Sequence, residues 1–290
     1  MRIPLKMTHE HKDLKKTEYL GVLILPSKAD LKSIARHLSG ITELDAKNIE
    51  NRLLGGVPAI LGSMSPPEAK KAVEWMNAQG IESGITNDRE IKEQGRPIVV
   101  KDIEVKEGQL RVRPMRDQEF SIAFSNVRTI VHGNLGLPKP HSKSDRASHI
   151  ENKAWELPLA TPITGHVISR QNLTSARAKS NASKSLRQII DLHCHQDGHW
   201  TLLRIDGDKQ GWRHLGKARG YSDLNNAKKT LELFEVILSD ATCDESFREF
   251  VPPKESRFQI HKETPREIRQ FDFYSRWISR MHVNLRGDSI

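Results

Sequence analysis

His193-Cys194-His195, followed by Asp197 and His199, is the densest run of metal-ligand types in this 290-residue chain. In an extended segment His193 and His195 share one face while Cys194 points the other way. Two histidines from the strand and His199 from across a turn could therefore converge on zinc, but the spacing supplies no fourth ligand. The alternative is a solvated hairpin tip with Cys194 as an ordinary core residue, and that is the expectation taken forward. A second chemistry lies in the serine-rich stretch before this run, where Arg170, Arg177, Lys179, Lys184 and Arg187 could follow a phosphate backbone. No aromatic residue interleaves these cations, so a stacking platform for single strands is not evident. A third lies near the C-terminus, where Phe271, Trp277 and Met281 fall on an apolar stripe that could receive a partner protein. The same basic, amphipathic segment could instead lie on an anionic membrane, a reading ranked below the protein contact.

The motifs of catalysis are missing. The sequence has no nucleophile elbow, glycine-rich phosphate loop, readable carboxylate pair or zinc-hydrolase spacing. A non-catalytic protein with no cofactor is expected, with an enzyme of dispersed catalytic residues as a lesser alternative.

Charge and composition narrow the partners. The net charge is +9, yet residues 1–93 carry 14 basic and 13 acidic side chains, so the excess sits further on. Such an excess suits an anionic partner or simply a solubilising surface. Mean hydropathy is −0.59 and no apolar run reaches the length of a membrane span. The N-terminus lacks the apolar core of a signal peptide, and Cys194 and Cys243 are too few for a disulfide framework. Cytoplasm is the expected compartment.

The elements that position these residues begin with Tyr19–Leu25, an apolar run closed by Pro26 that reads as a buried strand. Ser27 opens a helix with Leu31, Ile34, Ala35 and Leu38 on one face, stopped by Gly40. Thr42 can cap a second helix facing Ala46, Ile49 and Leu53 inward, and Val57–Leu61 is a second strand. Ser65-Pro66-Pro67-Glu68 joins a capping serine, proline at the first helical position and a capping-box glutamate, so a helix must start there. It ends at Gly80, and Ile81–Ile85 is a third strand. Strand, helix, helix, strand, helix, strand makes a small sheet covered on one face by helices.

Gly40-Ile41-Thr42-Glu43-Leu44-Asp45-Ala46-Lys47, the strand Pro58-Ala59-Ile60-Leu61, and Glu68-Ala69 with Ala78-Gln79-Gly80 resemble the helix junctions of one family. That family is the C-terminal domain of the bacterial ribosomal stalk protein, whose fold is shared with the Clp protease adaptor. The resemblance implies a partner-gripping role for Lys47, at a position matching a lysine of the family's GTPase-binding patch.

After Arg96-Pro97 the period changes to two. Ile98–Val105, Leu110–Val112, Phe120–Phe124 and Val127–Val131 read as four short strands. Proline- and serine-rich residues mark linkers at about 136–153 and 169–186, on either side of a strand at Ile163–Ile168. Asp197-Gly198 forms the turn of a hairpin between Ile189–Cys194 and Trp200–Ile205. Ser222 caps a long helix with Leu224, Ala227, Leu231, Phe234, Ile237 and Leu238 inward. By element order this region resembles a pleckstrin-homology-like barrel closed by a helix. Thr264-Pro265-Arg266-Glu267 starts a last helix, with Arg266, Arg269, Arg276 and Arg280 expected at the surface.

The expected fold is therefore α+β. It comprises a polar tail at 1–17, a stalk-like module at 18–90, an antiparallel barrel-like domain at 96–250 and a helical tail at 251–290. The expected function is an adaptor or scaffold for an unidentified protein partner, with nucleic-acid or ribosome association as the alternative. Oligomeric state is not encoded in any readable motif.

Overall fold

A computed structural model describes residues 18–136, 186–210, 212–247 and 265–286. It is an α+β protein with two sheets and a central helix.

The first sheet has the order β2-β1-β3, with β1 (Glu18–Ile24) between β2 (Ala59–Met64) and β3 (Glu82–Asn87), both antiparallel to it. Its helices are α1 (Leu31–Ile41), α2 (Ala46–Leu54) and α3 (Pro66–Ala78). Leu20, Val22, Leu61 and Met64 pack against Ile34, Leu38, Ile49, Leu53 and Met76 from these helices. The element order is the one expected, but the caps differ. Asp30, not Ser27, caps α1 by accepting from Lys32 N and Ser33 N, and Gly40 lies inside that helix. Asp45, not Thr42, caps α2 by accepting from Asn48 N at 2.9 Å. Thr42 instead donates its hydroxyl to Leu38 O, closing α1. Glu68 reaches back to Ser65 N at 2.9 Å, which fixes the start of α3. A short α4 (Asp88–Glu93), capped by Asn87, follows β3.

The second sheet has seven strands in the order β10-β7-β8-β9-β4-β5-β6. They are β4 (Ile98–Lys106), β5 (Gln109–Pro114), β6 (Phe120–Ala123), β7 (Val127–Gly136), β8 (Leu186–Gln196), β9 (His199–Asp206) and β10 (Thr242–Asp244). The four early strands and the Asp197-Gly198 hairpin stand where the sequence put them. The sheet is mixed and open, which corrects the antiparallel barrel. β10 runs parallel to β7, and β4 runs parallel to β9 through only Ile98↔Leu203 and Val99↔Arg204. An irregularity between Val100 and Asp102 then turns β4 toward β5, so β6 and β10 end as separate edges. The strand expected at Ile163–Ile168 and most of both linkers lie outside the described residues.

One face of this sheet carries Ile103, Val112, Ile130, Ile190, Leu192 and Leu203 under α5 (Asp223–Ile237), which supplies Ala227, Leu231 and Phe234. The other face meets α6 (Arg266–Arg286), which packs against β7 and β8 on one side and β3 and α4 on the other. Every residue from Gln270 to Met281 is buried. The first sheet is thus covered on both faces, and α6 is an internal layer rather than a tail.

Glycines set the closeness of that layer. Gly21 and Gly84 are paired across β1 and β3, and a Cβ at either would meet Met281, with Trp277 also lying over Gly21. On the opposite side Phe271 lies over Gly133 of β7. Absence of side chains at these points lets large side chains of α6 sit directly on backbone.

Candidate functional site

The hairpin turn at Asp197-Gly198 sets the register of β8 and β9, pairing Asp191 with Arg204 and His195 with Trp200. Asp191, His193, Arg204 and Asp206 all fall on the face beneath α6, and all are buried. Arg204 grips Asp191 with two parallel bonds, Nε and Nη2 each donating at 2.7 Å. Arg204 also pairs with Asp272 of α6, while Arg187 pairs with Asp206. Ser275 of α6 completes the cluster, donating its hydroxyl to Asp191 Oδ2 at 2.8 Å and standing 2.7 Å from His193 Nε2.

Proton positions follow from this geometry. The single serine proton goes to the carboxylate, so Ser275 Oγ must accept from His193 Nε2–H. His193 is accordingly a neutral ring with Nδ1 as the bare nitrogen, and that atom is buried without a hydrogen-bond partner. Burial lowers the His193 pKa to about 3, with Arg276 and Arg204 acting in the same direction and Asp191 against them. Burial opposes the charge on Arg204, but Asp191 and Asp272 outweigh it and its pKa is raised. Burial raises Asp272 above the ordinary carboxylate range. Serine, histidine and aspartate do meet here, but both partners contact the serine and the aspartate does not touch His193 Nδ1. Ser275 is therefore a bridge between two buried groups, not a nucleophile activated by a base oriented from behind.

The residues singled out in the sequence are placed as follows. His193 is fully buried against Ser275, His195 lies beside Trp200 with ring centroids 4.9 Å apart, and His199 is exposed at the hairpin tip. These three histidines do not converge as a ligand set among the described residues, whereas one ligand atom from each of Glu235, Cys243 and Glu245 lies within 4.8 Å of the other two. The three lie close in sequence, Glu235 in the last turn of α5 and Cys243 in β10, the next element. Phe271, Trp277 and Met281 are each 0% exposed, so the chain's own two sheets cover the stripe expected to meet a partner. Arg276 and Arg280, expected at the surface, are buried because Gly95 O accepts from Arg276 and Glu93 accepts from Arg280 Nη2 at 3.0 Å. Arg187 is committed to Asp206, while Arg170, Arg177, Lys179 and Lys184 lie outside the described residues. Lys47 is exposed on α2.

One cleft of about 340 Å³ opens between β4, the segment Arg213–Gly216 and the C-terminal half of α5, lined by Asp102, Arg213, His214 and Phe234 among others. Thr230 Oγ donates to Asn226 O at 2.9 Å and so accepts from His214 Nε2 at 2.8 Å. Burial pulls the His214 pKa down to about 4, against the pull of Asp102. No helix among the described residues is long and apolar enough to cross a membrane. Compared with known proteins, the chain matches no family model, no curated protein and no solved structure.

Proposed function

We propose that the protein is a non-catalytic adaptor that holds a protein partner through its first module. The observation that carries this reading is the division of labour between interior and surface. Asp191, His193, Arg204, Asp272 and Ser275 are spent on seating α6, whereas the first module presents apolar and cationic groups outward. Leu54 is 65% exposed and Ile24 is 56% exposed. β1 leaves its pairing with β2 just before Ile24, and the turn after Leu54 enters β2, so the two residues lie at the same end of the module. Lys47 stands on the same helix as Leu54 and matches the gripping lysine implied by the likeness to the stalk-protein domain. An affinity capture with the full chain as bait tests this directly. A partner retained by the native chain and lost with Leu54→Asp and Lys47→Glu is the expected result. Capture that is indifferent to both substitutions removes the first module from the interaction.

Nucleic-acid association is the second reading, and charge placement favours it. Residues 137–185 hold eight lysines and arginines against three acidic residues. Retention on heparin or RNA that falls steeply with salt, and weakens with Arg177→Ala, Lys179→Ala and Lys184→Ala, is what it requires. Salt-independent retention discards it.

A further inference from the structure

We infer that the tip of the β8–β9 hairpin and α6 together form a binding site for a phosphate-type oxyanion, built from Arg280, Trp200 and His195 with Arg128 beside them. Arg280 is 6% exposed, yet its hydrogen bonding is incomplete. Its Nη2 donates to Glu93 at 3.0 Å, a carboxylate that is itself shared with Arg89 at 3.2 Å. Its Nε and Nη1 are buried with no hydrogen-bond partner. The guanidinium carbon stands 5.1 Å from the centre of the Trp200 ring, and the His195 ring lies beside the same indole at 4.9 Å. Trp200 Nε1 and His195 Nε2 are likewise buried and unpartnered. Nitrogens on three contiguous side chains thus lack a partner, an arrangement that costs free energy unless something supplies acceptors. The cation–π contact engages the indole face and leaves the indole N–H unsatisfied.

The strands explain why these groups meet. His195 pairs with Trp200 across the hairpin, on the face that also carries Asp191, His193 and Arg204, and Arg280 lies one turn beyond Arg276 on the helix above that face. β7 contributes a bulge: Val127 pairs with Cys194 and Thr129 with His193, which leaves Arg128 as the extra residue. Burial lowers the His195 pKa, and Arg128, Arg280 and His199 add to that direction, which marks the spot as electropositive. Cations gathered with unmatched N–H donors favour an anion over a water molecule, which brings protons of its own. Guanidinium and indole N–H groups suit a ligand with several acceptor oxygens around one centre. His195 and Trp200 are half-buried and His199 is exposed, so the side chains around the site reach solvent at the hairpin tip.

Titration of the full chain with inorganic phosphate at constant ionic strength, followed by calorimetry and by the indole N–H resonances, tests the site. One saturable phosphate per chain is expected, with a downfield shift of the indole proton that disappears in Trp200→Phe. Trp200→Phe keeps an aromatic ring but removes the donor, and it should weaken binding severalfold. Arg280→Lys should weaken it further, and the milder Trp200→Phe decides the matter if that variant does not fold. Arg177→Ala, in the basic stretch before β8, should leave the affinity unchanged. Glycerol phosphate is the second probe: tighter binding than inorganic phosphate assigns a phosphate monoester, and equal or weaker binding assigns the free ion. Lack of saturable binding, an affinity left intact by Trp200→Phe, or a loss with Arg177→Ala overturns the proposal.

Discussion

Trp277 rests directly on Gly21: the indole occupies the volume that a Cβ at Gly21 would need, and the adjoining Gly84 gives the same clearance to Met281. A helix that rides this closely on two sheets has no slack for added atoms. Gly21→Ala should therefore destabilise the fold by about 1–3 kcal/mol, the usual cost of overpacking, and Gly133→Ala should do the same through Phe271. Denaturant unfolding reads both. Gly108→Ala sets a different comparison, because nothing lies within 4 Å of its Cβ position and only its φ of 77° opposes the change.

Ser275 satisfies two buried groups at once. Its replacement by alanine leaves Asp191 Oδ2 with one donor fewer and His193 Nε2–H with no acceptor, a loss of about 1–3 kcal/mol. Asp191→Asn should cost more, about 3–5 kcal/mol, because it strips a bidentate partner from the buried Arg204. If Ser275→Ala proves neutral in equilibrium unfolding, the serine bridge is not supporting the cluster.

The histidines fix the sign of an acid response. His193 and His214 have folded pKa values of about 3 and about 4, below the ordinary 6.5, so the unfolded chain binds their protons first. Their contribution to stability is present above pH 6.5 and is lost as pH falls from about 6.5 toward those lower values. Asp272 and Asp244 have raised values and act oppositely, since the folded chain holds their protons more tightly from the ordinary carboxylate value of 3.8 upward. Unfolding free energy measured from pH 7 to pH 5 should fall with acidity. The slope should be shallower in His193→Gln, and an unchanged slope would contradict the assignment of a buried neutral ring.

Both thiols should resist alkylation in the native chain. Burial pushes Cys194 up to about 12, and burial with neighbouring carboxylates does the same for Cys243, so little thiolate exists at neutral pH. Mass spectrometry after a timed pulse of iodoacetamide should show little label until denaturant is added. Cys243, which is only partly buried, should react before Cys194 as denaturant rises. Rapid native labelling of Cys194 would contradict its place in the core.

The legible parts of this fold are those whose causes are local. The Glu68 reach to Ser65 N and the Asp197-Gly198 turn each involve neighbours within a few residues, and both appear where sequence chemistry puts them. Asp45 was within reach too, because an aspartate three residues before Asn48 is as good a cap as the threonine preferred over it. Asp191 and Arg204 could have been paired from the hairpin register alone. Arg276 could not, because the carbonyl that accepts from it belongs to Gly95, 181 residues earlier. A polar stripe on a helix reads as solvent-facing unless its distant partners are known. The glycines within the apolar strands β1 and β7 were the available hint that something large approaches the backbone there.

Helix α6 comes after every strand it touches. During synthesis from the N-terminus, the ribosome has delivered both sheets before their shared filling exists, so Tyr19, Asp191, His193 and Arg204 stay wet until residues 266–286 emerge. Completion of the interior is thereby coupled to arrival of one late segment, which acts as the keystone of an arch whose two sides are laid first.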